Sequence, residues 1–282
     1  MTLSAPMAPL ALSPLQISRR SRIPYHEVRR LIETLTEDRV EADRPLPPPI
    51  AAATETLIRK RQSGVPLQYL EGYVDFGPVR VAVDERALIP RPETEQLWEL
   101  VTRLVPASLA SVIVDIGTGS GALALALAHT YPRAEVIATD ISPAAVELAR
   151  ENIRDNHWEA GRIDVREGDL FDAVPCSLRG EVDIVVSNPP YVAESEWSGL
   201  PAEVRTEPYG TLVAGPRGTE ILERLAAEVG DWLRPSGTVA VEIGETQAEE
   251  VQEAFRAGGI AAKIHNDLAG RSRFVWGGPI EP

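Results

Sequence analysis

The chain has 282 residues, of which 44% are hydrophobic and 25% are charged, a composition typical of a globular protein rather than a disordered or fibrous one. No run approaches the roughly 18 to 20 uncharged apolar residues of a membrane-spanning helix. The single cysteine, Cys176, excludes an intrachain disulfide and a cysteine-based zinc site. The N-terminus has no basic residue ahead of its apolar part and is interrupted by prolines, unlike a signal peptide. We therefore predict a soluble cytoplasmic protein.

Charge is distributed unevenly along the chain. Residues 1–80 contain 11 Lys and Arg and 9 Asp and Glu, whereas residues 81–282 contain 17 and 33, and the whole chain has a net charge of −14. An acidic surface repels phosphate backbones unless a local basic patch overrides it. The charge therefore argues against a nucleic-acid substrate, although a need for solubility explains it equally well.

The first 64 residues have helical patterning. Within residues 23–40, apolar side chains recur at the spacing of one helix face, namely Val28, Leu31, Ile32 and Leu35. The proline-rich residues 44–49 end any helix, and a second helix is predicted from about residue 50 to residue 62. We predict a small helical N-terminal domain over residues 1–64.

Residues 65–92 have a different pattern. A short β-like run at residues 79–83 is followed by prolines that prevent it from continuing. We predict a β-hairpin linker over residues 65–92, ahead of a second domain that covers residues 93–282.

From residue 111, short apolar runs alternate with helical segments. Strands are predicted at SVIVDIG, AEVIATD, IDVREGD, VDIVVSN and TVAVEIG, and helices at GALALALAHTY, SPAAVELARENI, residues 220–232 and QAEEVQEAFRAG. Such alternation is typical of an α/β fold with a mostly parallel, doubly wound sheet. The final β runs, AAKIHND and RFVWG, have no helix between them, so we predict an antiparallel hairpin at the sheet edge.

A glycine-rich turn, Asp115-Ile116-Gly117-Thr118-Gly119-Ser120-Gly121, joins the first of these strands to a helix. Glycines at alternate positions allow a tight turn and let a ligand approach the backbone. The spacing differs from the G-x-G-x-x-G of dinucleotide enzymes, and no P-loop lysine follows. A turn without a ligand is the alternative, but the strand before it and the helix after it favour a binding loop.

Acidic residues end the next two β runs. Asp140 ends a strand beside the glycine turn, where its carboxylate can accept hydrogen bonds from both ribose hydroxyls of an adenosine-type cofactor. The alternative role of helix N-cap is open to Ser142, which precedes Pro143 at the first helical position. After the following run, Asp169 can meet an adenine amino group and Leu170 its face, with an ordinary turn as an equally good interpretation.

The predicted strand VDIVVSN leads into the segment Ser187-Asn188-Pro189-Pro190-Tyr191. The prolines stiffen the chain and have no N–H to donate, which leaves the Asn188 side-chain oxygen and the Pro189 carbonyl as acceptors. Two acceptors on a rigid loop can hold both hydrogens of one NH₂ group, and Tyr191 offers a ring that can stack on a planar amide or base. A chance turn is the alternative. The position after a buried strand favours a site for a planar nitrogen.

Together these motifs resemble the class I S-adenosylmethionine-dependent methyltransferases that act on amino groups. Further segments resemble the peptide-chain release factor glutamine methyltransferases of the HemK type, namely PLQYLEG at 66–72, LIPRPETE at 88–95, Glu207-Pro208, Glu242-Ile243-Gly244 and DLAGRSR at 267–273. The resemblance covers residues 65–277, and it is specific because RPETE and NPPY occur in the right order. Residues 214–218, AGPRG, depart from the family, which usually has a Gly-Gly pair and an Asp-Gly there.

The resemblance implies a Rossmann-like class I methyltransferase domain that methylates the side-chain amide nitrogen (N5) of glutamine. The implied partner is a class I release factor, methylated in its Gly-Gly-Gln motif in support of translation termination. S-adenosylmethionine is the implied methyl donor and S-adenosylhomocysteine the product. The cofactor would be bound by Gly117, Thr118, Gly119, Ser120, Gly121, Asp140, Asp169, Leu170 and Asn188. Catalysis would rest on Asn188, Pro189 and Tyr191, which with Pro190 would also bind the substrate.

Other functions remain open from the sequence. Adenine N6 in DNA or RNA is also a planar NH₂ group, and a flipped base stacks on an aromatic ring, so NPPY suits that substrate equally well. A non-catalytic module that kept the fold is a second alternative, which the intact motifs disfavour. A nicotinamide dehydrogenase is a third, but it leaves NPPY unexplained. The four histidines are scattered without metal-ligand spacing, so we predict no metal.

Overall fold

The computed structural model describes residues 12–36, 38–157 and 160–280. The chain forms two compact units. Of the described residues, the first unit holds those up to Gly72 together with Ala202–Thr206, and the second holds the rest. The domain boundaries proposed above at residues 64 and 92 stay a prediction.

The first unit is helical. Its helices are α1 (Pro14–Ser21), α2 (Tyr25–Thr36), α3 (Pro48–Gln62) and α4 (Leu67–Glu71). Helix α1 was not predicted from the sequence, although Ser13 and Gln16 form a capping box at its start. Helix α2 is shorter at both ends than the predicted segment. It starts directly after Pro24, which disfavours helical backbone in the residue before it.

A small apolar core and several ion pairs hold the first unit together. Its buried cluster contains Ile17, Val28, Leu31, Ile32, Leu46, Ile58 and Leu67. Arg30 binds the buried carboxylate of Glu71 at 2.6 Å. Arg61 binds Glu27 at 2.6 Å and Glu203 at 3.0 Å, so the short segment Ala202–Thr206 is tied to α3.

The second unit contains a seven-stranded sheet with the order β10-β11-β9-β6-β3-β4-β5. Its strands are β3 (Val112–Ile116), β4 (Glu135–Asp140), β5 (Ile163–Glu167), β6 (Val182–Ser187), β9 (Leu233–Glu242), β10 (Lys263–Asn266) and β11 (Ser272–Gly277). Strands β9, β6, β3, β4 and β5 are mutually parallel, while β11 pairs antiparallel with both β9 and β10. The predicted parallel sheet with an antiparallel edge hairpin is therefore confirmed.

Five helices of the second unit are described: α5 (Pro92–Leu104), α6 (Ala122–Thr130), α7 (Pro143–Asp155), α8 (Glu220–Val229) and α9 (Ala248–Ala257). Helices α8 and α9 pack on the sheet through a buried cluster that includes Leu225, Phe255 and Val241. The first seven residues of α6 are all buried, because a helix this apolar packs against protein all round. Ser142 caps α7 as predicted, accepting a hydrogen bond from the Ala145 amide.

Two small ribbons complete the second unit. Strands β1 (Tyr73–Phe76) and β2 (Val79–Ala82) form the predicted hairpin. Strands β7 (Val192–Ala193) and β8 (Val213–Gly215) form a short parallel pair that was not predicted. None of the helices in the described ranges is both long enough and apolar enough to cross a membrane.

Candidate active site

A deep cavity of the second unit lies where the parallel strands end. In an open α/β sheet, ligands bind at the carboxyl ends of the strands where the strand order reverses, which here lies between β3 and β6. The cavity has a volume of about 480 Å³. It is lined by ten of the predicted site residues, namely Gly117, Thr118, Gly119, Ser120, Asp140, Asp169, Leu170, Asn188, Pro189 and Pro190.

The glycine turn after β3 is held by backbone hydrogen bonds. The amides of Gly117 and Thr118 both donate to the Thr139 carbonyl, at 2.8 and 2.9 Å. Gly117 and Gly119 have φ angles of 71° and 55°, which β-carbon sterics disfavour for other residues. A Cβ at Gly117 would meet no protein atom within 4 Å. The turn is therefore preformed, and the space beside it is open to a ligand.

Gly121 does not line the cavity and has a packing role instead. Its φ of 81° lies in the left-handed region, and a Cβ there would come within 3.3 Å of the Ala149 Cβ on α7. Glycine at this position therefore lets the start of α6 approach α7 closely. Its predicted contact with the cofactor stays a prediction.

Asp115, the last but one residue of β3, is a buried carboxyl group in the cavity wall. The Thr118 hydroxyl donates to its Oδ2 atom at 2.6 Å. Burial raises the pKa of Asp115 to about 7, and the nearby charge of Asp140 acts in the same direction. A cation bound in the cavity would favour the ionised form of both acids.

Asp140 braces the glycine turn from the end of β4. Its Oδ2 accepts from the Gly119 amide at 2.9 Å, and its Oδ1 accepts from the Ser142 amide at 2.9 Å. Burial raises the pKa of this carboxyl, and the two amide bonds partly oppose that rise. Each carboxylate oxygen has two lone pairs, so both can accept a further hydrogen bond from a ligand.

The residues after β5 form another part of the wall. Asp169 binds Arg224 of α8 at 2.8 Å, and both side chains line the cavity. Leu170 is buried with a φ of 46°, a left-handed conformation that is rare for a branched residue. The Thr139 hydroxyl donates to its carbonyl at 3.0 Å. The adenine contacts proposed for Asp169 and Leu170 stay a prediction.

The Asn-Pro-Pro-Tyr loop after β6 is held by side chains from distant segments. Asn188 Nδ2 donates to the Thr94 hydroxyl at 2.8 Å, and that hydroxyl donates to Glu242 at 2.8 Å. The Tyr191 hydroxyl donates to the other oxygen of Glu242 at 3.1 Å. Burial raises the pKa of Glu242 to about 7 and also raises the pKa of Tyr191.

Tyr191 itself does not line the cavity. Its ring is partly buried against the main core cluster, and its carbonyl accepts from Gln247 Nε2 at 2.8 Å. Its proposed stacking on the substrate amide stays a prediction. In the described structure, its hydroxyl contributes to the network around Glu242.

A segment ahead of α5 forms a further part of the wall. Leu88 and Pro90 line the cavity. The buried carboxylate of Glu207 forms an ion pair with Arg91 and accepts from the Ile89 amide at 2.9 Å. Glu207 belongs to the Glu-Pro pair noted in the sequence, and its structural role is to anchor the 88–91 segment.

The loop of residues 214–218 departs from the family pattern but is well anchored. Arg217 forms ion pairs with Glu223 at 2.6 Å and Glu250 at 3.1 Å. Gly218 has a φ of 86°, and a Cβ there would lie 2.7 Å from the Tyr191 carbonyl. A glycine is therefore required at residue 218, close beside the Asn-Pro-Pro-Tyr loop.

Several residues in or near the cavity had no role predicted from the sequence. Thr94 and Glu242 lie within the quoted motifs RPETE and EIG, but their contact joins residues 148 positions apart. Thr94 lines the cavity, as do Arg224 and Ile141, which is 68% exposed, whereas Glu242 does not. An apolar residue directly after Asp140 was the available signal for Ile141. Across the described ranges, no group of three or more His, Cys, Asp or Glu side chains is placed to hold a metal ion.

The sheet order, the glycine turn and the strand-end cavity are those of a methyltransferase fold, and comparison with known proteins agrees. A family model described as "Methyltransferase small domain" matches residues 98–202. A ribosomal protein L11 methylase from Lactobacillus delbrueckii subsp. bulgaricus superposes with a TM-score of 0.52 at 20% identity, covering 74% of this chain and 98% of that one.

Relatives with higher sequence identity show which family the chain belongs to. A release factor glutamine methyltransferase from Moorella thermoacetica is 40% identical, with 86% of this chain and 83% of the relative covered. One from Mycolicibacterium smegmatis is 42% identical, with 81% and 80% covered. The chain belongs to the release factor glutamine methyltransferase family.

Proposed function

We propose that this enzyme transfers a methyl group from S-adenosylmethionine to the side-chain amide nitrogen of the glutamine in the Gly-Gly-Gln motif of a class I release factor. The observation that carries the proposal is the orientation of Asn188. Its NH₂ group is bound to Thr94, which leaves its oxygen for a substrate in the cavity that also contains the glycine turn.

The cavity residues fit S-adenosylmethionine, which supplies an electrophilic methyl group on a positively charged sulfur. Asp115 and Asp140 give the wall negative charge in a desolvated setting, which favours a cationic ligand. The lone pairs that remain on Asp140 suit the two ribose hydroxyls. We propose that Ile141 and Leu170 contact the adenine ring, because both line the cavity with apolar side chains.

The chemical difficulty is the weak nucleophile, since the lone pair of an amide nitrogen is delocalised into its carbonyl. We propose that Asn188 Oδ1 and the Pro189 carbonyl accept the two N–H hydrogens and aim the nitrogen lone pair at the methyl carbon. No protein group in the described ranges donates a hydrogen bond to either oxygen. Positioning of this kind lowers a barrier by several kcal/mol.

The same two acceptors favour the transition state over the ground state. As the N–C bond forms, the nitrogen becomes positive and its hydrogens become better donors, so both hydrogen bonds strengthen. One N–H proton then leaves the methylated nitrogen. Because this nitrogen is strongly acidic while it is positive, water can take the proton and no strong protein base is needed.

The names of the relatives, release factor glutamine methyltransferases, support a release factor as the partner. The acidic character of residues 81–282 supports a protein substrate over a nucleic acid. We further propose that the enzyme acts in the cytoplasm, where release factors take part in translation.

The test is methyl transfer to purified class I release factor, followed by mass spectrometry of its Gly-Gly-Gln peptide. We expect one methyl group on the glutamine, and none when that glutamine is replaced by alanine. Parallel reactions with DNA and RNA test the adenine N6 alternative. Transfer to nucleic acid alone would overturn the proposal, and failure to bind S-adenosylmethionine by calorimetry would favour a non-catalytic module.

A further inference from the structure

A buried chain of hydrogen bonds runs behind the Asn-Pro-Pro-Tyr loop. It connects the last residue of β9, Glu242, to the third residue of α5, Thr94, and from there to Asn188. Glu242 and Thr94 are 1% and 6% exposed. The proposed reaction assigns no step to either of them.

The number of available hydrogens determines which group donates and which accepts in each of these hydrogen bonds. An ionised carboxylate has no hydrogen to donate and a threonine hydroxyl has one. Both oxygens of Glu242 accept, one from Tyr191 and the other from Thr94. With its only hydrogen committed, the Thr94 oxygen can only accept, so Asn188 must turn its NH₂ group toward Thr94.

We infer that Thr94 and Glu242 are positioning residues, which fix the Asn188 side-chain amide with its oxygen toward the cavity. This inference rests on the proposed function and deepens it. A flipped amide would place an NH₂ group opposite the NH₂ group of the substrate, where two donors face each other. The pair therefore determines whether Asn188 can hold the nucleophile.

The charge state of Glu242 controls whether Thr94 fixes the orientation of the Asn188 amide. The carboxyl faces Tyr191 from the loop, Arg273 from β11 and Glu93 from α5. Burial raises its pKa to about 7, so it gains a proton as the pH falls below that value. A protonated carboxyl can donate to Thr94, which frees the threonine hydrogen and removes the constraint on Asn188. Activity should therefore decrease below about pH 7.

The first test uses three threonine variants of the full chain. Thr94→Val keeps the shape and removes the hydroxyl, whereas Thr94→Ser retains it. Thr238→Val is the matched control, because Thr238 is a buried threonine of β9 whose hydroxyl donates to the Gly277 carbonyl. We expect kcat for release factor methylation to fall about 100-fold in Thr94→Val, with KM for either substrate changed less than about threefold.

The pH profile separates positioning from a structural effect. We expect Thr94→Ser and Thr238→Val to keep the wild-type decrease in kcat below about pH 7. In Thr94→Val the link to Glu242 is broken, so its low kcat should be independent of pH in this range. A wild-type kcat in Thr94→Val would overturn the inference. An unchanged pH profile in that variant, together with a loss of stability of the whole protein, would also overturn it.

A second measurement does not depend on the substrate. NMR of the side-chain amides, with the Asn188 signals assigned from Asn188→Ala, reports whether its NH₂ group is hydrogen-bonded. We expect slow hydrogen exchange in wild type and in Thr94→Ser, and exchange at least about tenfold faster in Thr94→Val. Equal exchange in all three would overturn the inference. Absence of methyl transfer by wild-type enzyme, with these exchange rates as expected, would count against the proposed function only.

Discussion

The two ends of the site, the glycine turn and the Asn-Pro-Pro-Tyr loop with the side chains behind it, contain similar chemical groups that are held in different ways. Each has a buried carboxyl whose pKa is raised to about 7, Asp115 at the glycine turn and Glu242 behind the Asn-Pro-Pro-Tyr loop. Each carboxyl accepts from a threonine hydroxyl. Asp115 and Thr118 are three residues apart, whereas Glu242 and Thr94 are 148 apart.

The difference predicts how each end responds to substitution. The glycine turn is held largely by backbone amides that donate to the Thr139 carbonyl, and no side-chain substitution removes those bonds directly. The other end depends on side chains from three separate segments. Substitutions there should reduce methyl transfer while the glycine-turn end, where we propose that the cofactor binds (the cofactor end), stays intact.

The largest effect is expected for Asn188→Ala. Removing one of the two proposed acceptors for the substrate NH₂ group should lower kcat about 10³-fold, comparable to the loss of one group from a preorganised polar site. Affinity for S-adenosylmethionine should change little, because the glycine turn and Asp140 remain. Single-turnover methylation of release factor and calorimetric titration of the cofactor measure the two quantities.

The control for this substitution is Asn266→Ala, at an exposed position of β10. It should retain the rate and the cofactor affinity of wild type. If Asn188→Ala methylates at a near wild-type rate, the two-acceptor model of the site is wrong.

The same contrast explains what the sequence could predict. The sheet, the glycine turn, Asp140 and the cap at Ser142 follow from local patterns, because strand, turn and helix are adjacent in the chain. Helix α1 also had a local signal, the capping box of Ser13 and Gln16. The contacts of Glu242 with Thr94 and Tyr191 had none, since they exist only once β6, β9 and α5 are assembled.

The second-largest effect is expected in the pH dependence of the free energy of unfolding, through Asp115 at the glycine turn. Because burial raises the pKa of Asp115 from 3.8 to about 7, the folded state binds more protons than the unfolded state between those values. The free energy of unfolding should therefore fall as the pH rises from about 4 to 7, by roughly 2–4 kcal/mol, and level off above pH 7. Urea unfolding across this range measures it.

Asp115→Asn is the informative variant, because it keeps an acceptor for Thr118 and has no charge to desolvate. Its unfolding free energy should depend less steeply on pH, with the remaining slope due to groups such as Glu242, whose pKa is also raised. A slope equal to that of wild type would show that Asp115 titrates normally.

Third, Asp140→Ala should weaken cofactor binding about 10- to 100-fold. The substitution removes hydrogen bonds to a charged acceptor, each worth about 1.5–3 kcal/mol, and also the brace on the Gly119 amide. Calorimetry with S-adenosylhomocysteine measures the loss. Asp172→Ala, at an exposed acid, is the control. Unchanged affinity in Asp140→Ala would remove Asp140 from the proposed ribose contact.

The smallest effect is expected for Ser142→Ala, which tests whether the cofactor end is held mainly by its backbone. Loss of the cap on α7 should lower the free energy of unfolding by about 1 kcal/mol, whereas Ser142→Thr keeps the hydroxyl and should cost less. The Ser142 amide still donates to Asp140 in both variants, so cofactor affinity should stay within about twofold of wild type. A larger loss of affinity in Ser142→Ala alone would mean that the hydroxyl contacts the ligand directly, and that this end also depends on its side chains.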